Sequence, residues 1–338
     1  MTSEWAEAGA HRVAEGVHRI PLEMPQDGLR AINVYALETD NGLALIDGGW
    51  HRPSTHHELS AALTQIGYSP ADIHDIYVTH VHRDHYTFAV ELRRRHGSRI
   101  HLGRAEAPGI AAIARLESNV PESSIRELHR AGDTVIAEQA RRRAIAEPFA
   151  PDDWEQPDIW LSPGPVDIAG HSLIATHTPG HTKGHMIFHD LDRGVCYTGD
   201  HVLPTITPSI GFELGNWELP LGQYLRSLTL MLDEPERVML PAHGPAGTHV
   251  HARCLELLEH HDHRLNQTRN AVARLGPSTG LRVAQALTWT RRERVFDALD
   301  SFNQMVATCE TLAHLDVLVD RDLLSVATKD GVDVFSMS

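Results

Sequence analysis

The stretch Thr79-His80-Val81-His82-Arg83-Asp84-His85 decides how this chain is read. Three imidazoles and a carboxylate follow directly on Asp75-Ile76-Tyr77-Val78, which reads as a short buried strand. Their spacing does not put all four side chains on one face of a helix. It suits a loop curling around a small cation, and imidazole and carboxylate are ordinary ligands of zinc and similar divalent metals. The alternative is chance clustering in a chain that holds 25 histidines. Three later segments argue against chance.

Each later segment has the same build: an apolar run, a sharp turn, then a potential ligand. Leu173-Ile174-Ala175-Thr176 leads into His177-Thr178-Pro179-Gly180-His181-Thr182-Lys183-Gly184-His185. Gly194-Val195-Cys196-Tyr197-Thr198 leads into Gly199-Asp200-His201, and Arg237-Val238-Met239-Leu240 into Pro241-Ala242-His243-Gly244-Pro245. Gly and Pro at such turns permit abrupt changes of direction. Each candidate ligand therefore lies just past a strand end, where side chains from several strands can converge.

With these motifs in place, the chain resembles the metallo-β-lactamase-fold hydrolases from about Val17 to about His251. Thr79–His85 resembles the family's T-H-x-H-x-D-H signature, and Thr178–His185 its T-P-G-H-T-x-G-H segment. Thr198-Gly199-Asp200 is similar to the segment with the bridging aspartate, and Pro241–Gly244 to the last histidine motif. Ile32-Asn33-Val34-Tyr35 and Leu43–Gly49 resemble the opening strands and first acidic motif.

The resemblance implies an α/β fold: a four-layer αββα sandwich with a helical insertion and a small, mostly helical C-terminal domain. It also implies two divalent metal ions, zinc first, with iron or manganese as alternatives. His80, His82 and His181 would hold one metal, Asp84, His85 and His243 the other, and Asp200 would bridge them. The implied chemistry is attack by a metal-bridging hydroxide on a small-molecule thioester, ester or lactone, with Asp84 or Asp200 relaying a proton. Asp47 is read either as a group orienting a ligand or as a strand-end aspartate capping a turn. Many members follow the D-H pair with a small residue and Gly-Gly, whereas this chain has Tyr86-Thr87-Phe88. Tyr86 is read as hydrogen-bonding a substrate or packing under the site. His201 is read as touching substrate or packing beside the site, and His177 and His185 as hydrogen-bonding scaffold.

Composition bounds the rest. At 338 residues, with 41% apolar content, the chain has room for one large domain and a small one. The reading is a catalytic domain over 1–250, with a helical insertion at about 104–160, and a helical, winged-helix-like domain over 251–338. The insertion is read as a lid over the site or as a helical elaboration packed elsewhere, with Phe149, Trp154 and Trp160 at its exit. Ile206, Ile210, Phe212 and Trp217 are read as pocket walls. Val317-Leu318-Val319 and Leu324-Ser325-Val326-Ala327 are read as a small hairpin.

A net charge of −15 argues against non-specific nucleic-acid binding. Residues 251–338 carry 10 Lys and Arg against 12 Asp and Glu, unlike a DNA reader. That segment is read as packing on the catalytic domain, closing the pocket or making a homodimer contact. No run approaches a membrane span, and three cysteines (Cys196, Cys254, Cys309) form no disulfide framework. With an N-terminus lacking a signal pattern, these features fit the cytoplasm. His260-His261-Asp262-His263 is read as a solvated helix face. A metal-dependent endoribonuclease, a mononuclear iron persulfide dioxygenase and a non-catalytic binding module are the competing readings.

Overall fold

The computed structural model describes residues 3–24, 29–116, 118–146, 153–210, 219–290 and 292–338. Phe149, Phe212 and Trp217 lie outside the described residues. The chain divides into two compact units. The first comprises residues 1–114, 151–208 and 227–255, and the second 115–150, 209–226 and 256–338.

Two sheets form the first unit. The seven-stranded sheet runs β1 (His11–Ala14), β2 (Val17–Glu23), β3 (Ala31–Thr39), β4 (Gly42–Ile46), β5 (Ile73–Val78), β6 (Arg99–Gly103) and β7 (Ile159–Leu161), in that order. Its β4–β7 half is parallel. The second sheet contains β8 (Gly164–Ile168), β9 (His171–His177), β10 (Met186–Asp190), β11 (Val195–Gly199) and β12 (Val238–Pro241), ordered β12-β11-β10-β9-β8. Apolar side chains of both sheets interleave between them, among them Tyr35, Ile46 and Tyr77 from the first and Leu173, Phe188, Tyr197 and Leu240 from the second. Strands β10 and β11 are buried at every position, the pattern of strands covered on both faces. Helices α1 (Thr55–Gln65) and α2 (Arg83–His96) pack against the first sheet. The expected α/β sandwich is therefore present.

Backbone bonds tie the sheets together where the parallel strands end. Met186 N–H donates to Thr79 O (2.8 Å) and Asn33 N–H to Ala242 O (2.7 Å), while Tyr35 Oη donates to Pro241 O (2.7 Å). The first joins the segments that carry His80 and His181, the other two seat the His243 segment on β3, and Ala242 N–H donates to Gly199 O (3.1 Å), next to Asp200.

The insertion is shorter in effect than its expected bounds. Residues 104–114, including α3 (Ala107–Ile113), belong to the first unit. Trp160, at the expected exit of the insertion, lies in β7, opposite Leu102. In the second unit, α4 (Glu122–Arg130) and α5 (Thr134–Ala146) share a core with Met305 and Cys309 of a C-terminal helix. The arginine run on α5 faces solvent, with Arg141 paired to Glu122 and Arg142 to Glu138.

After α6 (Pro220–Asp233), the C-terminal elements are α7 (Val250–Leu275), β13 (Ser278–Thr279), α8 (Gly280–Gln285), β14 (Thr288–Trp289), β15 (Arg294–Val295), α9 (Ser301–Asp320), β16 (Leu324–Lys329) and β17 (Val332–Met337). The expected hairpin is displaced. Val317–Val319 continue α9, and Leu324–Lys329 pairs instead with Val332–Met337 across Asp330-Gly331. Both turn residues have positive φ, as a type I′ turn requires. His261 is also not on a solvated face. It is 1% exposed, and its Nδ1 meets His314 Nε2 at 3.2 Å. No helix among the described residues is long and apolar enough to cross a membrane.

Candidate metal centre

All seven expected ligands converge at the carboxyl ends of the strands. His80 and His82 follow β5, His181 lies in the β9–β10 turn, Asp200 follows β11 and His243 follows β12. Asp84 and His85 are not in a loop. Helix α2 begins at Arg83, so both sit in its first turn, with His82 as its N-cap. The positive end of that helix suits the Asp84 carboxylate. Three sets of potential ligand atoms each fall within 4.8 Å: His80, His82 and His181; His80, His85 and Asp200; Asp84, His85 and His243.

Hydrogen bonds decide which nitrogen of each imidazole points inward. Thr79 donates its N–H (2.8 Å) and Oγ1–H (2.9 Å) to Asp47 Oδ1, so its Oγ1 is left to accept from His80 Nδ1 at 3.1 Å. His85 Nδ1 lies 3.0 Å from Asp47 Oδ2, and His243 Nδ1 donates to Ala31 O at 2.8 Å. In all three rings the proton is drawn to Nδ1 and the Nε2 lone pair faces the centre. Those three Nε2 atoms and Asp200 Oδ1 are buried and have no hydrogen-bond partner among the described residues. Four such acceptors facing one another are costly unless a cation satisfies them.

Asp200 reaches both ligand groups. Its Oδ2 lies 3.5 Å from His181 Nε2, and its Oδ1 lies 3.6 Å from His85 Nε2 and 3.4 Å from His243 Nε2. Asp84 Oδ2 lies 3.2 Å from His243 Nε2. His82 Nδ1 meets His181 Nε2 at 3.0 Å with the rings nearly perpendicular, at 86°. By contrast, His261 and His314 meet almost head-on, with centroids 5.3 Å apart and rings 30° from parallel. That pair is an ordinary hydrogen bond; the His82–His181 pair is arranged around a third point.

Electrostatics agree with a cation-binding role. Burial, and then neighbouring imidazoles, hold His80 well below its usual value, and burial with His181 holds His82 at about 3. Both are therefore neutral and ready to coordinate. Burial opposes charge on His85, but Asp47, Asp84 and Asp200 outweigh it and raise it to about 10. Burial likewise opposes charge on Asp84, and His85 and His243 reverse that, holding its carboxyl well below the usual range. The three carboxylates around His85 thus favour a positive charge at the centre, either a second proton on His85 Nε2 or a cation that displaces it and takes up the lone pair.

Asp47 has φ +62°, a conformation Asp tolerates better than most residues. It serves at once as acceptor for Thr79 and partner of His85, so the orienting reading fits its contacts. His185 is scaffold: Asp200 N–H donates to its Nε2 (3.2 Å), and its Nδ1 meets Thr178 Oγ1 (3.0 Å). His177 Nε2 donates to Lys183 O. His201 is fully buried, its ring 5.8 Å from that of His185, so it packs beside the site. Tyr86 does not face a substrate. It is fully buried and its hydroxyl donates to Glu155 O at 2.6 Å. Trp154 donates to Val81 O at 3.3 Å and braces the His80–His82 turn.

Two supporting groups escaped the sequence reading. Thr79 is a hub between Asp47, His80 and His85. Glu106, 1% exposed, accepts from Thr182 beside His181. Thr79 stands inside the signature and was open to discovery. Glu106 lies in a stretch with no motif.

The metallo-beta-lactamase superfamily model matches residues 27–243. The chain belongs to that superfamily. Similar solved structures include a metallo-beta-lactamase family protein from Thermus thermophilus, 26% identical, covering 97% of this chain and 100% of that one with a TM-score of 0.76. A beta-lactamase domain protein from Burkholderia ambifaria has the same fold, at 24% identity and TM-score 0.76, covering 97% of this chain and 93% of that one. Among curated relatives, an atrochrysone carboxyl ACP thioesterase of Aspergillus chevalieri is 33% identical over 33% of this chain and 32% of its own length. The lactamase-like protein aptB of Emericella nidulans is 23% identical over 71% of this chain and 59% of its own. The first of these curated matches spans about a third of the relative's length.

Proposed function

We propose that this superfamily member is a dinuclear, zinc-dependent hydrolase of small-molecule thioesters, esters or lactones. The observation that carries the reading is the convergence, at one buried point, of His80 Nε2, His85 Nε2, His243 Nε2 and Asp200 Oδ1, none of which makes a well-formed hydrogen bond among the described residues. His80, His82 and His181 would hold one metal, and Asp84, His85 and His243 the other. Asp200, with an oxygen towards each group, would serve both. Divalent cations held there would supply a water acidified to a pKa of about 7 and a Lewis acid for a carbonyl oxygen. Thr79, Asp47 and the Ala31 carbonyl keep the imidazoles aimed, and Asp84 or Asp200 carries a proton to the leaving group.

The thioesterase name of one relative supports the bond type, and the chain's −15 charge disfavours a polyanionic substrate. Three buried, free cysteines fit a reducing compartment such as the cytoplasm. The C-terminal order of helices followed by a β16–β17 hairpin supports the winged-helix-like reading.

The test is thiol release from acyl thioesters of several lengths by zinc-loaded protein, beside lactones, a single-stranded RNA and a persulfide with oxygen uptake. Thioester or lactone turnover that disappears in Asp200→Asn supports the reading. RNA cleavage or oxygen uptake without acyl hydrolysis would replace it.

A further inference from the structure

Arg83 stands between two of the candidate ligands, His82 and Asp84, yet it takes no part in the metal box. Its side chain is exposed, and its guanidinium lies 5.3 Å from the ring centroid of Trp50. A stack of that kind holds an arginine fork in place while leaving its edge donors open.

The shelf beneath it is rigid. Gly48 N–H donates to His85 O at 2.8 Å, Phe88 N–H to Gly49 O at 3.0 Å, and His51 N–H to Thr87 Oγ1 at 2.9 Å. The segment carrying Trp50 is thus stitched to the first two turns of α2, the helix that supplies Asp84 and His85. The Trp50 ring that receives the Arg83 guanidinium is therefore carried on backbone fixed beside Asp84 and His85.

Neighbouring arginines in this acidic chain are spent on carboxylates. Arg52 pairs with Glu58, Arg93 with Glu155 and Asp158, Arg94 with Glu155, and Arg95 with Glu91. Arg83 has no ion pair among the described residues. Its partner is an aromatic face, and its planar donors remain available for an oxyanion. The positive end of α2 adds to the same local potential.

We infer that Arg83, stacked on Trp50, forms a subsite for an oxyanion, a carboxylate or a phosphate, on the non-reacting arm of the substrate. This rests on the hydrolase reading and narrows it to acyl substrates with an anionic arm. At long range a chain of charge −15 repels such molecules. A single fixed cation at the mouth then discriminates locally.

The experiment is competitive binding to the zinc-loaded protein. The probes are 3-mercaptopropionate, 2-mercaptoethylphosphonate and the neutral 3-mercaptopropionamide, whose thiols are all suited to zinc. One or both acids should bind about tenfold more tightly than the amide, as one charge-assisted contact provides. The better acid reports whether carboxylate or phosphate is preferred. The advantage should vanish in Arg83→Gln, shrink in Trp50→Leu, and fall as salt is raised from about 0.05 to about 0.5 M. With an anionic thioester, Arg83→Gln should raise KM and spare kcat. Equal binding of acid and amide by wild type, or an advantage that survives in Arg83→Gln, overturns this inference alone. Failure of all three thiols to bind overturns it together with the metal reading.

Discussion

At the residue scale, the candidate ligands are legible because their segments follow apolar runs and match the motifs of the family the chain resembles. His80, His82, Asp84, His85, His181, Asp200 and His243 are all assigned through that resemblance. Their tautomers are not. The partner that fixes His243 is the carbonyl of Ala31, 212 positions away in the chain, and no local pattern encodes that bond. Asp47 is the residue on which the orientation of the imidazoles rests most heavily, since it holds both Thr79 and His85. Asp47→Asn should weaken metal binding by roughly 10–100-fold, read by titration against a competing chelator. Unchanged affinity would return Asp47 to a turn-capping role. The sequence leaves Tyr86 open between substrate contact and packing under the site, and its surroundings favour packing. Its hydroxyl is committed to Glu155 O, which no local pattern displays. Tyr86→Phe should leave kcat/KM unchanged and cost about 1 kcal/mol of stability, measurable by urea unfolding. A large loss of turnover with intact stability would restore the substrate reading.

Secondary structure was read well in its interiors and less well at its ends. The ligand motif reads as a loop, but α2 already starts at Arg83, inside it, with His82 at the N-cap position. The C-terminal hairpin was misplaced through weighting apolar runs over turn chemistry. Asp330-Gly331 is the strong local signal, and Val317–Val319 belong to a helix whose length no short window displays. Close approach between elements is a further feature that sequence hides. A Cβ on Gly184 would lie 2.4 Å from Glu106 N, and one on Gly103 would lie 2.2 Å from Gly184 O. The turn carrying His181 is therefore seated directly on the end of β6. Gly184→Ala should push that turn outward, costing roughly 1–3 kcal/mol and weakening the metal group that includes His181 more than the group around Asp84. A thermal melt and metal titration of the variant check this. Wild-type behaviour in both would show that the contact yields freely.

For the whole molecule, the sandwich followed from the family resemblance that the motifs carry, while the partition of the chain did not. Glu106 and β7 lie inside the expected insertion yet belong to the first unit. Their membership rests on pairing with distant strands. The abundance of histidine also has a global consequence. Burial, with Arg237 nearby, holds His189 at about 4, and burial holds His314 at about 4 in the second unit. An unfolded histidine titrates near 6.5, so between those values the unfolded chain binds more protons. Stability from these groups is complete above about pH 6.5 and is lost as pH falls towards 4. Each contributes about 1–2 kcal/mol of that loss at about pH 5. Urea midpoints at about pH 7.5 and about pH 5 should differ accordingly, and the difference should narrow in His189→Gln. Equal slopes for variant and wild type would contradict the assignment.

The central claim is that the converged histidines and aspartates exist to hold two metals for acyl hydrolysis. The most direct measurement is zinc titration of chelator-treated protein while thiol release from an acyl thioester is followed. We expect no turnover without metal, a rise that completes at two equivalents, and no recovery in Asp200→Asn. Turnover in the metal-free protein, or none at two bound equivalents across thioesters, esters and lactones, would contradict the claim.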